Sequence, residues 1–263
     1  MQSRSGRPVK ESIVRSARRF AFIVFVVACL CSVPAVQGFT VPEQLRYDLT
    51  WTGIKVGEAT LEARDYGSYL QLISTASSAK WASFFFNVED AVISTLKKET
   101  RQNPYGDFIG VPHSYRMHLR EGKYRRDKEY LFNRNTNKVT HINHLKKEAL
   151  DFPFEGAVYD PLSCFYYLRT LPLIVGKSVY ITIFDNKKSY PVEVQVLKKE
   201  TLKLSSGVFN TIVVKPLMKS EGIFNRKGDM TIWLTDNDMR IPVMLMTKVS
   251  MGSVKAVLTG GQY

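Results

Sequence analysis

Between residue 39 and the C-terminus, apolar and polar positions alternate with a period of two, in short runs separated by turn residues. This is the pattern of strands with one buried and one solvated face. In Leu45-Arg-Tyr-Asp-Leu-Thr-Trp51 the apolar set Leu45, Tyr47, Leu49 and Trp51 shares one face. Similar runs follow at 58–64, 69–76 and 88–96, then at 113–119 and 124–132 around an expected hairpin turn at Arg120-Glu-Gly-Lys123. A further strand is expected at 138–144. In the last third the pattern predicts strands at 179–184, 190–198, 210–218, 230–235, 241–249 and 253–258. Roughly a dozen strands with short connections predict a mainly β chain: a single curved antiparallel sheet or a partly open β-barrel, with a two-sheet sandwich as the alternative. No linker, repeat or low-complexity block divides 39–263, so one antiparallel β domain is expected there.

One segment breaks the period. Asp160-Pro161 supplies a side-chain acceptor for a helix N-terminus followed by proline at the first helical position. The apolar-rich Leu162-Ser-Cys-Phe-Tyr-Tyr-Leu-Arg169 continues it, and Pro172 limits it. A helix this apolar on all sides predicts a buried plug, around 160–171, in the concavity of the sheet.

The first 38 residues read differently. Six basic residues with Glu11 precede the apolar run Phe20–Cys31, and Val36 and Gly38 fit a small-residue cleavage rule. The layout is that of a secretory signal, so residues 1–38 are expected to be removed after Gly38 and the protein to be periplasmic or otherwise exported. Lipoprotein processing at Cys29 and retention as an anchor are the alternatives.

Charge gains meaning only after that. The whole chain carries 37 Lys and Arg against 24 Asp and Glu, a net +13. Taking away the six basic and one acidic residues of 1–38 leaves 31 against 23, or +8. Five units of the excess thus belong to the export segment, and a nucleic-acid partner is not expected. Cys164 alone survives in 39–263, so neither an internal disulfide nor a cysteine-based zinc site is available. No cofactor or metal is expected.

Candidate chemistry is sparse. Cys164 lies mid-helix among aromatics, which predicts an inert buried thiol. His141 and His144 fall on a strand and point to opposite faces, which predicts surface or turn histidines and no metal pair. Asp236, Asp238 and Arg240 read as a hairpin turn in which Asp side chains accept backbone N–H groups and Arg240 pairs across the bend. The sharpest charged feature is Arg116, Arg120, Lys123, Arg125, Arg126 and Lys128, interleaved with Tyr115, Tyr124 and Tyr130. In a cell envelope such a stretch suits an anionic partner or a membrane surface.

Several blocks resemble, in order, a family of exported bacterial proteins labelled domain of unknown function 3108. They are Trp51-Thr-Gly-Ile-Lys-Val-Gly-Glu-Ala59, Asp160-Pro-Leu-Ser-Cys-Phe-Tyr-Tyr-Leu-Arg169, Gly207-Val-Phe-Asn-Thr-Ile212, the stretch from Gly228 through Trp233 to Val243, and Gly252-Ser-Val-Lys-Ala-Val-Leu258. The resemblance implies an exported, mostly β protein and no particular reaction. Its motif residues read as structural: Gly53 and Gly57 for a turn, Asp160 and Pro161 for a helix start, Trp233 and Pro242 around a hairpin. The sequence thus predicts a non-enzymatic binding protein for an amphiphilic or anionic envelope component, whether lipid or polymer. The alternatives are a structural or assembly factor that binds an envelope protein, and a glycan or lipid hydrolase using Asp160, Asp236 and Asp238.

Overall fold

The computed structural model describes residues 38–98, 109–217, 230–249 and 252–263; the segment 1–37, on which the signal reading rests, lies outside them. Among the described residues, fourteen strands form one antiparallel sheet. The first meander holds β1 (Glu43–Trp51), β2 (Ile54–Tyr66), β3 (Tyr69–Ser78), β4 (Glu89–Lys97), β5 (Val111–Glu121), β6 (Tyr124–Asn133), β7 (Lys138–Asn143) and β8 (Glu148–Pro153). A one-turn helix, α1 (Lys80–Ser83), interrupts it between β3 and β4. The second meander holds β9 (Ser178–Asp185), β10 (Lys188–Leu204), β11 (Gly207–Leu217), β12 (Met230–Thr235), β13 (Pro242–Lys248) and β14 (Ser253–Gln262).

The two meanders are joined where β1 pairs with β14, which leaves β8 and β9 as the two edges. The sheet is therefore open, yet it curls far enough for the edge strand β9 to pack against the inner face of β6. Phe184 of β9 lies 6.0 Å from Tyr130 and 6.1 Å from Phe132 of β6. A single parallel bridge between Tyr159 and Ile183 adds two backbone hydrogen bonds at 2.8 and 2.9 Å. The Tyr159 bridge covers part of the β9 edge, while the β8 edge stays exposed.

The connection from β8 to β9 contains α2 (Pro161–Thr170), which runs inside the curl. Its start is fixed by Asp160. One carboxylate oxygen accepts the N–H groups of Leu162 (3.0 Å) and Ser163 (2.9 Å), and the other accepts the hydroxyls of Ser163 (2.7 Å) and of Ser94 on β4 (2.6 Å). The same side chain thus caps the helix and ties it to the sheet. Near the other end, Arg169 makes a two-pronged ion pair with Glu43 of β1 (2.8 and 2.6 Å), both fully buried. Its guanidinium also donates to the Met239 carbonyl (3.1 Å) and lies 5.1 Å from the rings of Phe39 and Tyr166.

Gly38 and Phe39 are buried, and the Gly38 N–H donates to the Asp238 carbonyl at 2.8 Å. A cleavage after Gly38 would therefore remove a bonded residue and place a charged amine on a buried one.

Candidate functional site: an apolar cavity beneath the helix

The inner face of the sheet is apolar where strand alternation turns residues such as Leu72, Tyr115, Ile183, Val194 and Ile232 into the core shared with α2. The space between them is not filled. A partly enclosed cavity of about 270 Å³ lies between one side of the helix and the sheet. Leu162, Phe165 and Leu168 form its helical wall, and Leu61, Val92, Ile183, Val194, Ile232 and Leu245 its sheet wall. Ser74, Tyr115 and Cys164 are the lining residues whose side chains carry a hydroxyl or thiol. Native interiors hold few voids larger than a water molecule. A dry cavity of about 150 Å³ already admits benzene.

Cys164 is half-buried on the cavity wall, and desolvation pushes its thiol up to about 12, with the Asp160 carboxyl adding to the shift. It is a wall atom with no thiolate character at neutral pH.

The structure divides the basic stretch in two. In β6 the alternation places Arg126 and Lys128 on the inner face with buried Tyr130 and Phe132. Met117, beside the cavity residue Tyr115 on β5, pairs in register with Lys128. Asp185, two residues after the cavity residue Ile183, and Lys187 in the β9–β10 turn complete an inner cluster with His141. Burial, with Arg126, Lys187 and Lys146 nearby, holds the Lys128 ammonium below its ordinary value, while Asp185 opposes the shift. His141 is buried and lies 5.0 Å from the Tyr130 ring. Burial, then Lys128 and Lys187, lowers it to about 4, and its Nε2 has no hydrogen-bond partner. The expectation of a surface histidine fails at this position, because Tyr130 and Phe152 cover the ring. His144 sits in the β7–β8 turn as expected, 3.0 Å from Glu129.

The remaining basic residues belong elsewhere. Arg116 pairs with Asp127 (2.8 Å) and Glu129 (3.0 Å), and Arg120 with Glu89 (3.4 Å). Lys123 and Arg125 are exposed at the β5–β6 turn, where Arg125 donates to the carbonyls of Gly122 and Tyr124. Six basic residues between 116 and 128 thus make no single patch.

The structural residues separate likewise. Gly53 occupies the β1–β2 turn with φ of 92°. Gly57 is already within β2, where a Cβ would meet the Ser77 carbonyl oxygen at 2.3 Å, so it serves a close strand approach and not the turn. In the β12–β13 turn it is the Asn237 side chain that accepts, from the Thr235 hydroxyl (2.7 Å) and the Met239 N–H (3.2 Å). Asp236 pairs instead with Lys199 (2.7 Å) and Arg240 (3.6 Å), and exposed Asp238 offers its backbone carbonyl to Gly38. Trp233 donates to Glu200 (2.7 Å), and the Pro242 carbonyl accepts the buried Tyr47 hydroxyl (2.8 Å).

A family model described as "Protein of unknown function (DUF3108)" matches residues 46–259. The chain belongs to the DUF3108 family. No match to a curated protein was found. Among solved structures, the DUF3108 chain is similar to a β-barrel-like protein of the domain of unknown function DUF1849 from Brucella abortus. The identity is 12% and the TM-score 0.50, over 85% of this chain and 98% of that one. A protein with a YmcC-like fold from Bacteroides fragilis aligns at 10% identity with a TM-score of 0.32, over 86% and 97% of the two chains. The first likeness extends the β-barrel-like description to this DUF3108 fold.

Proposed function

We propose that this protein is an exported, non-enzymatic binding protein that holds the apolar part of an amphiphile between α2 and the sheet. The observation that carries this reading is the cavity of about 270 Å³ walled by aliphatic and aromatic side chains in a fold that otherwise packs its inner face. Ligand sites are concave, mostly apolar and provided with a few polar groups that fix orientation. The inner-facing Arg126 and Lys128, with Lys187 beside them, supply positive charge for an anionic headgroup. Two of the three acidic groups first considered for hydrolysis are engaged in structure: Asp160 accepts from four donors, and Asp236 is ion-paired.

Native mass spectrometry of the protein purified from its own cell envelope, followed by organic extraction, tests the reading. An acyl-chain compound released in stoichiometric amount is the expected result. Protein of apo mass that also takes up no added fatty acid would contradict it. The same spectrum reports the N-terminus of the mature chain.

A second reading rests on the edge strand β8, whose residues are exposed almost throughout. Such an edge can pair with a strand from another protein, as an assembly factor would.

A further inference from the structure

The segment Trp81-Ala-Ser-Phe-Phe-Phe86 exposes its rings although its backbone is fixed. Ala79 N–H donates to the Val56 carbonyl (2.8 Å), and Gly122 N–H to that of Asn87 (2.7 Å). The Ser78 hydroxyl donates to the Phe86 carbonyl (3.1 Å) and accepts from Val88 N–H (2.5 Å). Yet Phe84 and Phe85 are 88% and 80% exposed, and Trp81 and Phe86 more than half so.

The same hydrogen bonds place this segment between two hairpins at one end of the sheet. On one side is β1–β2, with Trp51 and Ile54 exposed; on the other is β5–β6, with Lys123, Tyr124 and Arg125 exposed. Both exposed tryptophans among the described residues lie on this ridge. Lys80 adds a further exposed cation, while the nearby Glu89 is partnered by Arg120.

Ordered, projecting aromatics of this extent, ringed by cations, suit one medium. Trp and Tyr favour the membrane–water boundary, and Lys and Arg gain from anionic headgroups. We infer that this end of the molecule docks on an anionic lipid bilayer, with Trp81, Phe84 and Phe85 entering the interfacial layer and Lys123 and Arg125 meeting lipid phosphates. The inference is independent of the cavity reading, since none of these residues lines the cavity.

The test uses the full chain and vesicles of phosphatidylglycerol and phosphatidylethanolamine carrying brominated acyl chains. Tryptophan fluorescence is compared between wild type and Trp81→Phe, the difference being the signal of Trp81. Docking predicts that this signal shifts to the blue and is quenched by bromine. Phe84→Ser with Phe85→Ser should weaken partitioning at least ~10-fold, since two phenyl groups are then withheld from the lipid. Lys123→Ala should weaken it about fivefold on anionic vesicles and leave it unchanged on neutral ones. All these side chains are exposed, so an unchanged Tm confirms that folding is intact. A Trp81 signal that lipid leaves unshifted and unquenched would overturn the inference, even if another part of the chain keeps the protein on vesicles. So would a Phe84→Ser, Phe85→Ser variant that partitions like wild type.

Discussion

Arg169 and Glu43 are charged, fully buried and held together by two hydrogen bonds across the helix–sheet interface. Attraction at short range offsets desolvation only while both partners are present, so removing one leaves an uncompensated charge. Arg169→Met or Glu43→Leu alone should lower stability by about 3–5 kcal/mol, and the double variant should recover much of it. Urea unfolding of the two singles and the double checks this. His141 provides a second residue-scale prediction. Its pKa in the fold, about 4, is below the ordinary value of 6.5, so the native state favours the neutral ring. The resulting stability is fully present above pH 6.5 and is lost as pH falls through about 4. At ~1.4 kcal/mol per unit the loss comes to at most about 3.5 kcal/mol. The difference in Tm between wild type and His141→Phe should therefore grow in disfavour of wild type over that window.

At the scale of elements, α2 depends on its first residue. Asp160→Ala removes the cap and strands the buried Ser94 hydroxyl, and should lower stability by about 2–3 kcal/mol, measured by thermal unfolding. Asp238→Asn, on an exposed side chain, should change it by less than ~0.5 kcal/mol. The helix was legible because Asp-Pro before an apolar run has few other uses. The strands were legible because one buried face imposes a period of two. The division of the basic stretch follows from that same period, since Arg125 and Arg126 are adjacent in a strand and must face opposite ways. Reading them as one patch weighted spacing along the chain above alternation across it. The partners Glu43, Ser94 and Asn237 left no local signal. Glu43 and Arg169 meet across 126 positions, through the pairing of β1 with β14 and the passage of α2 between the edges.

At the scale of the molecule, the long open sheet settles how α2 can be buried. Fourteen strands with right-handed twist curl, and the helix that links the two edges has only the inside of the curl to occupy. That passage leaves room along one side of the helix, and the strand alternation lines the room with aliphatic groups. The cavity is thus a product of topology that no short motif announces. The central claim is that this space holds the apolar part of a ligand. Its most direct test is titration with a fluorescent fatty acid, comparing wild type with Ser74→Phe, which fills the cavity from β3. Saturable binding by wild type, reduced at least ~10-fold in Ser74→Phe with no fall in Tm, is the predicted result. Equal binding by both proteins, or binding by neither, would contradict the account.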